Sequence, residues 1–349
     1  MSLCSETRNY LTGVQLAIAS SVPWRVRDHS KLMRILFGSG AIGETIKEIQ
    51  RTLAAAGFDP HGCDGIYGAA TAACVRAYQQ SIAIPPTATL DERTWQSLMK
   101  APAPSVSERC LQLTTAFEGH GFGHAVGNFD GALLTWGIVG FTLASGGIQS
   151  IVSAVNNSKP ELVQSVFGDN CCELLDMMRA PRDIQTRWAN QHTQGNGALA
   201  EPWYSLFATF GSLPEVRCEQ LKLVDCKYMQ PAIRTAKNLG FRSELGLALC
   251  FDIQVQNGGV RRTHLDEIGE TSPTTEEEVR VKLANLVAET AIQRWTEDVR
   301  ARKLTIATGE GTVHGRHYVL TNWGLSADYT APELTSAANA AFAAGTTGA

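Results

Sequence analysis

The chain lacks several features that would place it quickly in a class. No segment approaches the roughly 20 consecutive apolar residues needed to cross a bilayer, so no membrane span is expected. The nine cysteines contain no CxxC pair and no Cys/His spacing typical of zinc sites. We therefore expect no disulfide framework, no metal and no cofactor. Basic residues form no block and the formal net charge is −4, so nucleic acid is not an expected partner.

The first residues also lack the basic segment that opens a secretory signal peptide. Glu6 lies in this region, and the mild apolar run from Leu11 to Val22 is interrupted by Gln15 and by serines. We therefore expect a protein that is synthesised in the cytoplasm without a signal peptide.

Length and composition predict a globular protein with two domains or one large one. The chain has 349 residues, of which 44% are hydrophobic and 18% charged. The alternating Ala and Pro of residues 101–107 predict a short stiff linker. We expect a mainly α (α+β) protein with the following parts: an N-terminal extension (1–41), a three-helix module (42–100), the linker (101–107), a larger mostly helical domain with a small β element (108–330), and a flexible tail (331–349).

The first module is predicted from three short helical patterns. Ile46, Ile49 and Leu53 share one face of a helix that begins near Glu44 and stops at Gly57. A second helix follows the turn at residues 64–68, and a third spans residues 91–98. Three short helices with little polar chemistry favour a binding module over a catalytic one.

The module resembles the peptidoglycan-binding domain found beside many cell-wall hydrolases. The matching motifs are Ile49-Gln50, Asp64-Gly65-Ile66-Tyr67-Gly68, Thr71, Val75-Arg76-Ala77-Tyr78-Gln79 and Thr94-Trp95-Gln96-Ser97-Leu98. The segment Thr87-Ala88-Thr89 departs from the pattern because it lacks the usual glycine. The resemblance implies binding of peptidoglycan glycan strands, with these contact residues: Asp64, Gly65, Tyr67, Gly68, Thr71 and Tyr78. A structural alternative is that Asp64 and Gly65 only make a tight turn and that Tyr78 and Trp95 lie in the core.

Two acidic residues follow the linker with the spacing of a catalytic pair. Glu118 closes a predicted helix over residues 108–117, and Asp130 lies twelve positions later in a polar turn. The carbonyl end of a helix disfavours an anion, as a general acid requires, whereas the polar turn suits an ionised base. One carboxylic acid and one carboxylate are what glycoside hydrolysis needs.

The second acidic residue opens a segment that resembles family 46 chitosanases of the lysozyme superfamily. The segment Asp130-Gly131-Ala132-Leu133-Leu134-Thr135-Trp136-Gly137-Ile138-Val139-Gly140-Phe141 fits that family's pattern position by position. The resemblance implies a lysozyme-like fold, with Glu118 as acid, Asp130 as base and Thr135 holding the attacking water. Trp136 is an expected substrate contact. The spacer before Asp130 is shorter and richer in glycine than in the family, which leaves the substrate open.

Two further helices are predicted in the larger domain. Residues 243–255 form a long apolar stretch, expected to be a buried helix that ends at Gly258. Gln254 and Asn257 near its end are candidate substrate contacts, although an Asn-Gly at a helix end is more often just a cap. Residues 275–303 are predicted to form one long amphipathic helix, capped by Ser272-Pro273.

The combined patterns predict a peptidoglycan hydrolase, most simply a muramidase that cuts the β-1,4 bonds of the glycan strand. A chitosanase with a wall-binding module, a lytic transglycosylase and a wall-binding protein with an inactive enzyme domain remain alternatives. The substrate lies outside the cytoplasm, in the periplasm or the extracellular wall. Without a signal peptide, the protein would reach it through a membrane lesion made by a holin, as endolysins do, or through a secretion apparatus that injects it into a rival bacterium.

Overall fold

The computed structural model describes residues 34–119, 121–271 and 273–335. Helices dominate this part of the chain, and the β structure is limited to three small antiparallel sheets, which confirms a mainly α fold with small β elements. The predictions for the signal region and for most of the tail fall outside the described residues. Among the described helices, none is long and apolar enough to cross a membrane.

The N-terminal module, which we define as residues 34–99, contains the three predicted helices and two short strands. Its elements are β1 (Ile35–Phe37), α1 (Glu44–Ala55), α2 (Ala69–Ser81), β2 (Leu90–Asp91) and α3 (Glu92–Met99). β1 pairs antiparallel with β2, with Phe37 opposite Leu90. This strand belongs to the module although it precedes residue 42, because its backbone is paired with the strand that leads into α3.

Two buried glutamines hold the two turns of the module in the same way. Nε2 of Gln50 donates to Asp64 Oδ1 at 2.8 Å, and its Oε1 accepts from the Gly65 amide at 2.8 Å. Nε2 of Gln79 donates to the Thr89 carbonyl at 2.9 Å, and its Oε1 accepts from the amide of Ala88 at 2.9 Å. The second turn therefore keeps its shape without a glycine.

The remaining elements form a larger helical body. Its first half consists of α4 (Val106–Glu118), β3 (Ala125–Val126), β4 (Thr135–Trp136), β5 (Phe141–Thr142), α5 (Gly147–Ser158), α6 (Pro160–Phe167), α7 (Cys171–Arg179), α8 (Arg182–Gln191) and α9 (Trp203–Ser212). Its second half consists of α10 (Pro214–Val224), α11 (Gln230–Asn238), α12 (Glu244–Asn257), α13 (Arg262–Thr271), α14 (Glu276–Glu289), α15 (Thr296–Thr308), β6 (Glu310–Val313), β7 (Arg316–Val319) and α16 (Pro332–Thr335). A π-helical segment, Asp225–Met229, joins α10 to α11. The strands β3, β4 and β5 form one antiparallel sheet, and β6 and β7 form a hairpin.

Helix α12 is the centre of this body, as its apolar sequence predicts. Ser243 caps its first turn by accepting a hydrogen bond from the Gly246 amide, and Gly258 ends it in the left-handed conformation. Its side chains are buried from Glu244 to Ile253, and it packs against α4, α11, α14 and α15. A helix buried on all sides has no polar stripe, which is why its sequence reads as a continuous apolar run.

The single helix predicted over residues 275–303 is wrong. Helix α14 ends at Glu289, a 3-10 turn follows at Gln293–Trp295, and α15 then packs against α14. Thr290 closes the first helix with a hydroxyl hydrogen bond to the Val287 carbonyl. The predicted cap is also wrong: Thr275 caps α14 in a capping box with Glu278.

The segment expected as a linker is partly helical and is packed against its neighbours. Helix α4 begins at Val106 because Ser105 and Glu108 form a capping box. Before it, the carbonyl of Pro102 accepts a hydrogen bond from the indole of Trp95 at 2.9 Å.

Polar contacts fasten the N-terminal module to the helical body. The Gly38 amide donates to the Asn322 carbonyl at 3.1 Å, and Asn322 Nδ2 donates to the Ser39 carbonyl at 2.8 Å. Arg34 of the module pairs with the buried carboxylate of Glu244, which also pairs with Arg109 of α4 within the helical body. The two parts are therefore joined by several contacts besides the connecting chain.

The start of the predicted flexible tail is ordered by contacts with the helical body. The Ala331 amide donates to the Arg242 carbonyl at 2.8 Å, and Ser107 Oγ donates to Glu333 Oε1 at 3.0 Å. The prediction of a flexible tail is therefore wrong for residues 331–335.

Candidate active site

Glu118 is the last residue of α4, at the point where the chain leaves the helix. Gly119 follows in the left-handed conformation with φ 67°, and its amide donates to the Thr115 carbonyl. Phe117 points into the core and packs on Tyr318, with ring centroids 4.8 Å apart. The Glu118 side chain is 26% exposed, so the carboxylate is held by the helix end but can still reach a ligand.

A buried cluster of charges lies directly behind Glu118. Nη1 of Arg302 donates to Oε1 of Glu118 at 2.5 Å, while Nε and Nη2 of the same guanidinium donate to Asp252. Asp252 also accepts from Lys303 Nζ at 2.5 Å and from Thr114 Oγ1 at 2.9 Å. Helices α4, α12 and α15 each contribute to this cluster, so the position of Glu118 depends on the packing of all three.

The contacts within the cluster also shift the pKa values of its own members, Asp252 and Lys303. Burial alone would raise the pKa of Asp252, but Arg302 and Lys303 hold that pKa well below its usual range. Burial lowers the pKa of Lys303 to about 8, against the opposing effect of Asp252. Two buried basic side chains thus contact one buried carboxylate, and the Glu118 carboxyl group is the second acidic group in contact with Arg302. Arg302 thus faces the Glu118 carboxyl group at a helix end, where the carbonyl groups carry partial negative charge. That the helix end disfavours the Glu118 anion stays a prediction.

Asp130 lies in an exposed turn that is fastened by its neighbours. Its Oδ1 accepts from the Ala132 amide at 3.0 Å. Asn128 supports the turn, since its Oδ1 accepts from the amides of Gly131 and Leu133, both at 3.1 Å. The second carboxylate oxygen of Asp130 has no hydrogen-bond partner among the described residues and faces solvent.

The start of this turn, at Asn128, is anchored to α8 and to the loop that follows α8. Asn128 Nδ2 donates to Asn190 Oδ1 at 2.7 Å, and the Asn128 amide donates to Thr193 Oγ1 at 2.7 Å. Gly127 approaches the same threonine so closely that a Cβ there would lie 2.4 Å from Thr193 Oγ1. The turn that carries Asp130 is therefore set by the helical body and not by its own sequence alone.

Thr135 and Trp136 lie side by side on β4 but have opposite surroundings. Thr135 is half-buried, between Val126 on β3 and Thr142 on β5. The Trp136 side chain is 0% exposed, and its indole donates to the Phe207 carbonyl at 3.0 Å. The expectation that Trp136 contacts substrate is therefore wrong, because successive residues of a strand point to opposite faces and this one points into the core.

The Gly-Ile-Val-Gly turn after β4 is shaped by a buried glutamine. Gln220 Oε1 accepts from the Ile138 amide at 2.9 Å, and Gln220 Nε2 donates to the Phe122 carbonyl at 2.9 Å. Gly137 has φ 88°, and a Cβ there would lie 2.5 Å from Gln220 Oε1. Gln220 thus connects this turn to the glycine-rich loop that follows Glu118.

The polar residues at the end of α12 differ in their hydrogen-bond partners. Gln254 Nε2 lies 3.4 Å from the Gly258 carbonyl of its own helix end, while Gln256 Oε1 accepts from Lys303 Nζ at 2.5 Å. Asn257 is half-buried, and its buried Oδ1 has no partner among the described residues. No contact among the described residues joins Gln254 or Asn257 to the charge cluster, so their substrate role remains a prediction.

The predicted wall-binding residues of the module divide into an exposed and a buried group. Asp64 is exposed, and the hydrogen bond from Gln50 lowers the pKa of its carboxyl. Gly65 has φ 77°, which the turn requires.

Three of the predicted wall-binding residues are inside the module. Tyr67 is 1% exposed and donates its hydroxyl to the Ala88 carbonyl, and Thr71 is 2% exposed. Tyr78 is 8% exposed, and its hydroxyl lies 2.9 Å from Ser97 Oγ. Direct glycan contacts by Tyr67, Thr71 and Tyr78 are therefore corrected to structural roles, and Gly68 precedes α2 in extended conformation.

The charge cluster behind Glu118 was not predicted from the sequence. A signal was present, because Asp252 interrupts an otherwise apolar run and Arg302-Lys303 falls on the buried side of its helix. Charged residues in apolar surroundings are almost always paired. Which acid pairs with which base depends on how α12 and α15 pack, and no local pattern encodes that.

Comparison with known proteins gives one match within the sequence. Residues 42–98 match the family described as "Putative peptidoglycan binding domain", which confirms the resemblance of that segment. No curated protein matches the chain.

Several solved structures are similar to this chain over part of its length, at low identity. The native chitosanase from Bacillus subtilis MY002 has 19% identity and a TM-score of 0.44, over 58% of this chain and 87% of that one. The GH46 chitosanase of Gynuella sunshinyii in complex with chitotetraose has 18% identity and a TM-score of 0.43, over 62% of this chain and 98% of that one. Chitosanase OU01 with substrate has 20% identity and a TM-score of 0.44, over 60% of this chain and 94% of that one.

Proposed function

We propose that this protein is a glycoside hydrolase that cleaves β-1,4 bonds in the glycan strands of peptidoglycan, as a muramidase does. The observation that carries the proposal is the joining, in one chain, of residues 42–98, which match a peptidoglycan-binding family, to a carboxylate fixed at the edge of a buried ionic cluster. We further propose the division into module, connecting segment and catalytic domain that the sequence predicts.

Glu118 is the proposed general acid. Arg302 orients its carboxylate and leaves part of it exposed, as donation to a glycosidic oxygen requires. Two of the three guanidinium nitrogens of Arg302 are bonded to Asp252, and the third is bonded to Glu118.

Asp130 is the proposed general base, and Thr135 the residue that orients the attacking water. One Asp130 oxygen holds the turn through the Ala132 amide, and the other is available for water. The water oxygen attacks the anomeric carbon, its proton passes to Asp130, and Glu118 gives a proton to the departing oxygen. The two carboxylates recover their starting protonation by exchange with solvent. This inverting route needs a carboxylate separation of about 6.5–9.5 Å.

The N-terminal module would hold the enzyme on its polymeric substrate. Because the module is fastened to the helical body by the Gly38–Asn322 hydrogen bond and the Arg34–Glu244 ion pair, a bound strand would meet the catalytic residues at a fixed distance. Such tethering raises the effective concentration of substrate without a new catalytic contact. The protein would act on the bacterial cell wall after release through a holin lesion or delivery by a secretion apparatus.

A chitosanase is the second candidate, favoured by the segment from Asp130 to Phe141, which matches the family 46 pattern. Faster release of reducing ends from chitosan than from sacculi would establish it. A lytic transglycosylase uses a hydroxyl of the substrate as nucleophile, so retention of activity in Asp130→Asn would favour that route. Wall binding without turnover, unchanged in Glu118→Gln, would favour a non-catalytic protein.

The proposal is tested by incubating purified sacculi with the native protein, Glu118→Gln and Asp130→Asn. We expect reducing ends from the native protein and from neither variant. Active protein that releases reducing ends only from chitosan would contradict the peptidoglycan assignment.

A further inference from the structure

A cleft lies between the N-terminal module and the helical body, beside the last turn of α4. Its volume is about 510 Å³. The module contributes Lys47, Asp64 and Ile66 to its walls, and the helical body contributes Tyr204, Arg217 and Arg316. Neither part alone encloses this space, so the cleft exists only because the module is docked.

Two arginines of the cleft form no ion pair among the described residues, although the carboxylates of Glu44 and Asp64 also line it. Arg217 is half-buried and lies over the Phe122 ring, with Cζ 5.1 Å from the centroid, and its buried Nε has no hydrogen-bond partner among the described residues. Arg316 is half-buried on β7. Within the described ranges neither arginine forms an ion pair. Lys47, by contrast, is already paired with Glu44 at 2.7 Å.

Two large apolar side chains are exposed on opposite walls of the same cleft. Tyr204 on α9 is 43% exposed, and Ile66 beside the Asp64-Gly65 turn is 42% exposed. Large apolar residues exposed next to unpaired charges are typical of ligand sites, in which apolar surface supplies affinity and a few polar groups supply specificity.

The loop after Glu118 forms the wall between these groups, and close backbone packing holds this loop in place. A Cβ on Gly211 of α9 would lie 2.1 Å from the Phe122 carbonyl oxygen, and one on Gly123 would lie 2.6 Å from the Ala208 carbonyl oxygen. On the other side of the loop, a Cβ on Gly121 would lie 3.5 Å from Glu44 Oε1 of the module. The loop after Glu118 is therefore packed between α9 and α1.

The cleft is adjacent to the proposed catalytic acid. Thr115, Ala116 and Gly119 line it, and Glu118 directly precedes Gly119 in the last turn of the helix. Because an extended peptide advances about 3.3–3.6 Å per residue, a few residues attached to a sugar at Glu118 would reach into the cleft.

We propose that this cleft binds the carboxylate-bearing peptide stem of peptidoglycan, with Arg217 and Arg316 pairing with its carboxylates and Tyr204 and Ile66 contacting its apolar side chains. The inference rests on the proposed function. Guanidinium groups suit carboxylates because their planar N–H donors bind both oxygens. A glucosamine polymer carries amines and no carboxylate, so the same arginines disfavour it. The cleft thus selects peptide-substituted glycan over both bare glycan and chitosan.

The test compares two forms of the same substrate: intact sacculi, and glycan strands from which an amidase has removed the stems. The variants are the full-length double variant Arg217→Gln/Arg316→Gln, the single variant Tyr204→Ala, and Arg51→Gln as a control for an exposed arginine of the module. For the double variant we expect the ratio of kcat/KM on sacculi to kcat/KM on stem-free strands to fall about tenfold, corresponding to about 1.4 kcal/mol. Arg51→Gln should leave that ratio at the native value.

An unchanged ratio in the double variant, whether activity on both substrates falls or stays constant, would overturn the inference. If the native protein cleaves neither substrate, the proposed function fails, and co-sedimentation of the same proteins with sacculi and stem-free strands still tests the cleft. Stem binding in the cleft is then supported if the double substitution weakens sedimentation with intact sacculi only. It is rejected if the double substitution weakens sedimentation with neither substrate or with both.

Discussion

Arg302 Nη1 lies 2.5 Å from Glu118 Oε1, while Nε and Nη2 of the same guanidinium are bonded to Asp252. One side chain thus links a partly exposed carboxylate to a fully buried one. The exposed acid is a proposed reactant, and the buried acid fixes the arginine that positions it. Separate measurements of stability and activity can distinguish these two roles.

Replacing Arg302 tests the link directly. We expect Arg302→Met to lower the free energy of unfolding by about 3–5 kcal/mol, because it leaves the buried Asp252 with only Lys303 as a charged partner. Arg302→Lys keeps the charge but cannot span both carboxylates, so we expect kcat to fall about 10–100-fold at nearly constant KM, by loss of orientation. Chemical denaturation and steady-state kinetics measure both effects. The exposed substitution Arg187→Lys is the control, and equal effects from it would contradict the account.

Asp130 should matter for catalysis and little for stability. Asp130→Asn keeps an oxygen that can accept from the Ala132 amide, so the turn is preserved, but it removes the base. We expect kcat to fall about 10²–10⁴-fold and the free energy of unfolding to change by less than about 0.5 kcal/mol. Asp183→Asn, at another exposed aspartate, should change neither. A Tm loss in Asp130→Asn comparable to that of a core variant would mean that the residue is structural.

The charge cluster predicts a component of acid sensitivity. Burial would raise the pKa of Asp252, but Arg302 and Lys303 hold it well below its usual 3.8. The unfolded chain therefore takes up this proton at higher pH than the folded one, so the stabilisation is complete above about pH 5 and is lost as the pH falls through 4 and below. We expect the free energy of unfolding of Asp252→Asn to depend less steeply on pH between 5 and 2.

The control for the acid series is Asp183→Asn, whose exposed carboxylate should leave the native slope unchanged. Identical slopes in Asp252→Asn and the native protein would show that the cluster does not depress the pKa of Asp252.

Trp136 should affect stability and not substrate affinity. Trp136→Phe removes the hydrogen bond to the Phe207 carbonyl and leaves a void beside Phe210. We expect a loss of about 1–3 kcal/mol in the free energy of unfolding, with KM unchanged. Trp295→Phe, at a half-exposed tryptophan, is the matched control and should lose less. A raised KM with unchanged stability would restore the substrate role for Trp136.

The packing of the glycine-rich loop on α9 can be tested by adding a single Cβ atom to Gly211. In Gly211→Ala the new Cβ would clash with the Phe122 carbonyl, so either α9 or the loop must move, at a cost of about 1–3 kcal/mol. Gly195→Ala, where nothing lies within 4 Å of the added Cβ, is the control. Thermal unfolding compares the two. Equal Tm values would show that the loop does not rest on α9.

Much of the fold is predictable because it is local. Helix α1 is specified by Ile46, Ile49 and Leu53, and α12 by an apolar run that ends at Gly258. The break between α14 and α15 was missed, since Ala291 and Ile292 continue the apolar pattern and no glycine or proline marks the turn. There the packing of α15 back on α14 outweighs the local pattern.

The site was predictable in part for the same reason. Glu118 at a helix end and Asp130 in a turn follow from neighbouring glycines, and the structure places them so. The side on which a residue lies was harder to predict: Trp136 next to Thr135, and Tyr67 next to Gly65, belong to motifs that suggest binding but face inward. Burial depends on contacts with distant elements such as α9, which a motif does not record.

The most direct test of the account is mass spectrometry of the products released from purified sacculi by the native protein, Glu118→Gln and Asp130→Asn. We expect reducing muropeptides from the native protein and none from either variant. Anhydro products that persist in Asp130→Asn, or product release that persists in Glu118→Gln, would contradict it.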